Sequence, residues 1–234
     1  MTIRERRPQF IRHTGIAAPL PLRDVETEFI APVGPELHDL HHVHVDASTV
    51  SLEPHPHDGS WAGQHAFHGL RYRLDGSEDP EFVLNQEPYR RASILLAGRN
   101  FGLGSLQAFA AIRLLQCGIR VVVSSRFGPV FEDDCFDFGL LPVVLEDNVV
   151  SRLMEIVETD PTVETTVDLE AQVVRHPGAG SVRFQIDQRR RLSLLHGTSN
   201  LDERLQHSAT AAAKRESDRQ RRPWLYAPPA DPNP

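Results

Sequence analysis

Three short apolar runs dominate the middle of the chain: Ile94-Leu95-Leu96-Ala97, Arg120-Val121-Val122-Val123-Ser124 and Leu141-Pro142-Val143-Val144-Leu145. They are partly β-branched and separated by stretches of helical length, the pattern of buried parallel strands joined by helices. Between the first two, Leu106, Phe109, Ala110, Leu114 and Cys117 recur at three- and four-residue steps. This predicts a helix capped by Ser105 and ended by Gly118. A second helix is predicted over 129–138, and a third, capped by Asp147, with Val150, Leu153, Ile156 and Val157 along its apolar face. Beyond it, residues 163–169, 171–176 and 182–186 alternate as short antiparallel strands, the last two turned by Pro177-Gly178-Ala179-Gly180.

The flanks are less regular. Residues 15–20 read as a strand, and 23–32 as an acidic turn running into an extended segment that Pro32 interrupts. Residues 36–92 alternate His, Pro, Gly and acids without helical or strand periodicity, the signature of long connections. From about 205 the pattern decays into a charged helix over 209–222 and a Pro-rich end holding Trp224, Leu225 and Tyr226, which predicts a loosely held tail. The prediction is an α/β domain over 1–204, a mixed sheet with flanking helices, and a charged, Pro-rich tail over 205–234.

Composition narrows the function classes. The chain has 234 residues, 40% apolar and 24% charged, and no run approaching the ~18 apolar residues of a membrane span. Met-Thr-Ile-Arg-Glu-Arg-Arg at the start has no apolar stretch behind it to act as a signal peptide, so a cytoplasmic location is expected. A net charge of -7 lacks the footprint of nucleic-acid or anionic-membrane binding and favours small molecules or proteins as partners. Cys117 and Cys135 are too few for a disulfide framework, a zinc site or an iron–sulfur cluster, so any cluster must come from elsewhere. Eight of the 12 histidines (His38, His41, His42, His44, His55, His57, His65 and His68) crowd one stretch. In an extended segment His42 with His44, or His55 with His57, would share a face and could hold zinc or nickel. Irregular spacing and interrupting prolines and acids favour a polar loop without a metal.

Candidate chemistry sits in Asn100-Phe101-Gly102-Leu103-Gly104-Ser105, directly after a strand and opening a helix. Amide N–H groups at such a helix start favour an anion. Gln107 stands where a dinucleotide fingerprint needs glycine, and there is no Gly-Lys-Ser/Thr of a P-loop, so a carboxylate is the better ligand. The alternative is that Gly102 and Gly104 only permit a tight turn while Ser105 caps the helix.

Several separated segments then agree in order with one family. Ala92 to Ala97, Asn100-Phe101-Gly102, Gly104-Ser105, Gly118-Ile119-Arg120 and Asp134-Cys135-Phe136 through Gly139 to Leu145 resemble the small subunit of 3-isopropylmalate dehydratase, built on the aconitase swivel domain. Phe10 to Gly15, Glu26-Thr27-Glu28 to Pro32 (where Asp-Thr-Asp is usual) and Val167 to Gln172 extend the likeness over nearly the whole chain. The resemblance implies a swivelling β/β/α domain of leucine biosynthesis that binds no cofactor itself and docks on a large subunit carrying a 4Fe-4S cluster. It also implies dehydration and rehydration of 2-isopropylmalate or a related alkylmalate, with iron as Lewis acid and a serine near the proton that moves. Ser105 matches that serine, and its alkoxide form would need loop N–H dipoles and nearby positive charge.

The motif departs from its family. The usual Asn-Phe-Gly-Cys-Gly-Ser-Ser-Arg-Glu-His-Ala becomes Asn100-Phe101-Gly102-Leu103-Gly104-Ser105-Leu106-Gln107-Ala108-Phe109-Ala110. Gln107 replaces an arginine that grips a substrate carboxylate, a charge-assisted contact of ~1.5 to 3 kcal/mol. Arg99 and Arg126, each placed after a strand, are expected near the ligand end of the sheet, with Arg126 compensating for Gln107. Glu26, Thr27 and Glu28 keep the acidic character of Asp-Thr-Asp with longer reach. The resemblance implies that the region 36–92 holds the loop that helps the family discriminate substrates. Three readings follow: a hydro-lyase subunit, a non-catalytic paralogue that binds a carboxylate or the large subunit and regulates it, and a histidine-rich metal module.

Overall fold

A computed structural model describes residues 8–32, 66–198 and 208–226. The apolar runs form a parallel sheet in the order β2 (Ala17–Leu20), β3 (Ile94–Ala97), β4 (Val121–Ser124) and β5 (Leu141–Val144). A second, antiparallel sheet runs β1 (Arg12–Gly15), β6 (Thr165–Asp168), β7 (Val173–His176) and β8 (Gly180–Arg183). The predicted α/β class holds, with its parallel and antiparallel pairings divided between two sheets instead of mixed in one.

Helices over 107–116, 129–138 and 147–159 fall where the sequence pattern predicts them, and those over 27–30, 68–71 and 188–196 arise where it predicts none. They are α1 (Thr27–Ile30), α2 (His68–Arg71), α3 (Gln107–Gln116), α4 (Pro129–Phe138), α5 (Asp147–Thr159) and α6 (Gln188–His196). α4 has the predicted bounds, and α3 ends as Gly118 (φ 89°) predicts. The amides of Gly118 and Ile119 reach back to the Leu115 and Leu114 carbonyls.

The core lies on both faces of the parallel sheet. Leu95, Ala97 and Val122 pack on one side with Ala110, Leu114 and Phe131 of α3 and α4. Ile94, Leu96, Val121, Val123 and Val143 pack on the other with Leu153 and Val157 of α5 and Val167 and Val174 of the antiparallel sheet. Burial on both faces is why these strands read as continuous apolar runs.

Three local predictions fail for identifiable reasons. Residues 15–20 are not one strand: β1 joins the antiparallel sheet, β2 joins the parallel one, and the chain changes sheets at Ile16. The Ile16 carbonyl accepts from Ser93 and Ile94, and Gly15 has no Cβ where Ser93 Oγ lies. The segment 23–32 is not extended, because α1 forms there to bury Thr27 and Ile30. Asp147 does not cap α5, since Glu146 holds the cap position. Asp147 lies in the first turn, favourable to the helix dipole, and accepts from Ser125 Oγ at 2.7 Å and Arg23 at 3.3 Å.

One buried carboxylate ties three strands and a turn. Asp168 accepts from the Ala171 amide at 2.8 Å, from Arg12 at 2.8 and 3.0 Å and from Arg175 at 3.4 Å. The Ala171 amide is the main influence holding its carboxyl below the usual range, with Arg12 and Arg175 adding to it against burial. Because both arginines are largely exposed, most of the stabilisation comes from the amide. Asp168→Ala is expected to cost about 2 kcal/mol at neutral pH. Asp168 is held down in the fold, so its contribution is full above the unfolded carboxyl value of about 3.9. It fades as pH falls through the lower folded value. Urea midpoints of wild type and variant should therefore differ at pH 7 and converge in strong acid.

A second unit begins at Thr198, seven residues before the predicted boundary at 205. Its described residues hold α7 (Ser208–Arg221), where the sequence predicts a charged helix over 209–222, followed by a 3-10 turn, Pro223–Leu225, and Tyr226 donates to Asp218 at 3.1 Å beneath the Arg219 guanidinium. Among the described residues no helix is long and apolar enough to cross a membrane.

Candidate functional site

The candidate site is the loop that leaves β3 at Ala97 and enters α3 at Gln107. Asn100 (φ 60°), Gly102 (φ 80°) and Gly104 (φ 111°) adopt left-handed backbone, which folds the loop tightly. Phe101 anchors it, fully buried, with its ring edge-on to Phe131 at 5.7 Å and Phe127 at 6.5 Å.

Two neighbouring turns clamp the loop from either side. On one, the Val25 carbonyl accepts from the amides of Gly102 and Leu103 at 2.8 and 3.1 Å, and Asn100 donates to Asp24 at 2.6 Å. On the other, the Phe101 amide donates to the Arg126 carbonyl at 3.0 Å and the Gly128 amide to the Phe101 carbonyl at 2.9 Å.

Ser105 is exposed and does not cap α3. Leu106 occupies the cap position, where its side chain offers no acceptor, and the Thr27 hydroxyl supplies one from α1, accepting from the Leu106 amide at 3.0 Å. The cap is therefore tertiary. Ser105 turns to Glu28 instead, its hydroxyl donating to Oε1 at 2.9 Å and its amide at 3.3 Å. Thr27 donates to the other carboxylate oxygen at 3.0 Å. Burial pushes the Glu28 carboxyl up, but the hydrogen bonds from Ser105, its own backbone amide and Thr27 together outweigh it and hold the group below the usual glutamate value. The resident anion at this helix start is Glu28, so the hydroxyl faces a carboxylate where positive charge was expected.

The other predicted residues are placed as follows. Gln107 donates its side-chain amide to the Gly104 carbonyl, engaging it within its own loop. Glu26 is exposed, its backbone paired with Leu103. Arg99 and Arg126 are exposed beyond the carboxyl ends of β3 and β4. Their carbonyls receive Asp24 and Phe101, and among the described residues no hydrogen bond joins either guanidinium to the loop. The fold thus gathers Thr27, Glu28, Gly104, Ser105 and Gln107 and leaves Glu26, Arg99 and Arg126 outside that network. Sequence reasoning missed the Asp24–Asn100 clasp. Its signal was chemical: Asp and Asn tolerate positive φ, and both adopt it here.

The chain's two cysteines are fewer than the thiolates an iron–sulfur cluster takes. Burial raises the Cys117 thiol, which accepts from the Ala66 amide at 3.1 Å, and burial raises Cys135, fully enclosed, far more. Among the described residues no three His, Cys, Asp or Glu side chains converge as a metal site. The histidines from His38 to His65 lie outside the described residues, and His68 packs its ring at a tilt against Tyr72, centroids 4.9 Å apart.

Comparison with known proteins agrees with this architecture. The family model of the aconitase C-terminal domain matches residues 62–148, which contain the loop, and the LeuD_N model matches 151–188. The chain is 37% identical to the 3-isopropylmalate dehydratase small subunit of Cereibacter sphaeroides, covering 93% of this chain and 99% of that one. It is 36% identical to the one from Parvibaculum lavamentivorans, with the same coverage. The one from Gluconacetobacter diazotrophicus is 37% identical over 90% of this chain and 93% of its own. A solved 3-isopropylmalate dehydratase structure from Methanocaldococcus jannaschii shares the fold at a TM-score of 0.55 and 18% identity, over 87% of this chain and 99% of that one. By sequence over nearly its whole length, and by fold, the chain belongs to the 3-isopropylmalate dehydratase small-subunit family.

Proposed function

We propose that the chain is the small subunit of a hydro-lyase that isomerises a 2-hydroxy acid, 2-isopropylmalate or a related alkylmalate, by dehydration and rehydration. Its partner is a large subunit holding the 4Fe-4S cluster, since two cysteines are too few to hold one here. That cluster supplies the Lewis acid for the departing hydroxyl. The observation that carries the reading is the exposed Ser105 hydroxyl, held at the head of the ten-residue helix α3 by a loop with little freedom.

In this reading Ser105 stands at the proton that moves. Arg99 and Arg126, exposed beyond the strand ends, are the guanidinium groups left to meet substrate carboxylates, because Gln107 carries no charge and is engaged with Gly104. Glu26, at the start of α1 with its backbone paired to Leu103 of the loop, is exposed and can meet a substrate hydroxyl.

One observation favours a second reading, a non-catalytic paralogue that binds the large subunit and regulates it. Gln107 carries no charge and is engaged with Gly104, and among the described residues no guanidinium is bonded to the loop to grip a substrate carboxylate. Anaerobic reconstitution with the large subunit, screened over a set of alkylmalates in both directions, separates the two. Partner-dependent turnover supports the hydro-lyase. Stable association without turnover of any member supports the paralogue.

A further inference from the structure

Glu28 is an unusual neighbour for a reactive hydroxyl, and its surroundings are built to keep it there. Oε1 receives both the hydroxyl and the amide of Ser105, while Oε2 receives the Thr27 hydroxyl. Thr27 is itself fully buried and fixed, since its oxygen accepts from the Leu106 amide as its proton points to Glu28. A hydroxyl has one proton to donate, so this arrangement leaves Thr27 a single orientation.

The loop also leaves space for the carboxylate. A Cβ on Gly104 would lie 2.4 Å from Glu28 Oε2 and 2.7 Å from Thr27 Oγ1. Only glycine admits the carboxylate at this position, and Gly104 has a φ of 111° that other residues rarely adopt. The donors around Glu28 are neutral. The titratable and charged side chains on the segments packed around it are Asp24 and Glu26 on its own turn, His68 and Arg71 on α2, Arg113 on α3, and Arg99 and Arg126 after β3 and β4.

We propose that Glu28 is a positioning residue for Ser105: its carboxylate, clamped by Thr27 and seated over Gly104, holds the serine hydroxyl in one rotamer and keeps its proton on the α1 side. The inference rests on the proposed function for its catalytic consequence, but its geometry concerns this chain alone. Acting through Ser105, Glu28 affects the chemical step more than substrate binding.

Two measurements test it. In the reconstituted enzyme, Glu28→Gln is expected to lower kcat about 10- to 100-fold with KM changed less than about 2-fold, the size of a misplaced reacting group. Activity of the wild type should fall only as pH drops below the ordinary glutamate range, a limb that Glu28→Gln removes and Glu28→Asp, which keeps the charge, retains. A Glu28→Gln enzyme with wild-type kcat and pH profile overturns the proposal. In the isolated full-length chain, carboxyl-carbon NMR should show Glu28 titrating below the usual range in wild type and higher in Ser105→Ala. The same midpoint in both proteins overturns the proposal whether or not the complex turns over. A shifted midpoint with no turnover keeps the Glu28–Ser105 clamp and removes only the hydro-lyase reading.

Discussion

Ser105→Ala is expected to lower partner-dependent turnover by about 10²- to 10⁴-fold, the contribution of a positioned proton-transfer group. The fold should tolerate the change. Ser105 is exposed and the α3 cap belongs to Thr27, so deleting the hydroxyl removes one solvent-accessible hydrogen bond, about 1 kcal/mol or less. Had Ser105 been the cap, the same substitution would have loosened the helix as well. Steady-state kinetics on the reconstituted complex, with thermal melts of the isolated chain, read both quantities. Undiminished kcat/KM in Ser105→Ala removes the hydroxyl from the mechanism and favours the regulatory paralogue.

Gly102→Ala should damage both stability and the site. Its φ of 80° costs a side-chain-bearing residue about 1–2 kcal/mol. The new Cβ would also lie 2.4 Å from the ring of Phe131, which is fully buried and cannot move aside. Overpacking of that kind adds about 1–3 kcal/mol, for a total near 3 kcal/mol. Gly118→Ala is the natural comparison: its φ is 89°, but nothing lies within 4 Å of the added carbon. It should show only the backbone cost, about 1–2 kcal/mol. Urea midpoints for the two variants separate strain from collision. Because Gly102 is hydrogen-bonded to Val25 and leads directly to Ser105, turnover should fall in Gly102→Ala and persist in Gly118→Ala.

The parts of the fold visible in the sequence are those governed by local pattern. β3, β4 and β5 announce themselves because burial on both faces makes their residues uniformly apolar, and α3 and α4 because their spacing and terminal glycines act within one or two turns. The resemblance supplied the order of the pieces and the identity of Ser105. Its limits are instructive. Gly15 to Leu20 reads as one strand because nothing local marks the passage between sheets, which depends on Ser93 and Ile94 meeting the Ile16 carbonyl. Ser105 reads as a cap because serine before an apolar-periodic stretch usually is one. Here the competing acceptor, Thr27, stands 79 positions away from Leu106 in sequence, so no window along the chain contains both partners.

That separation bears on how the protein is made. Residues of the α1 turn leave the ribosome well before the β3–α3 segment, so the acceptors for Leu106 and Ser105 already exist when those donors emerge. A fragment beginning after residue 32 would retain β3, β4 and β5 and still start its first long helix without a stopper. Because contacts so far apart in sequence close long loops at an entropic cost, the end of α3 that carries Ser105 depends on an early-synthesised strand and turn packing back onto it.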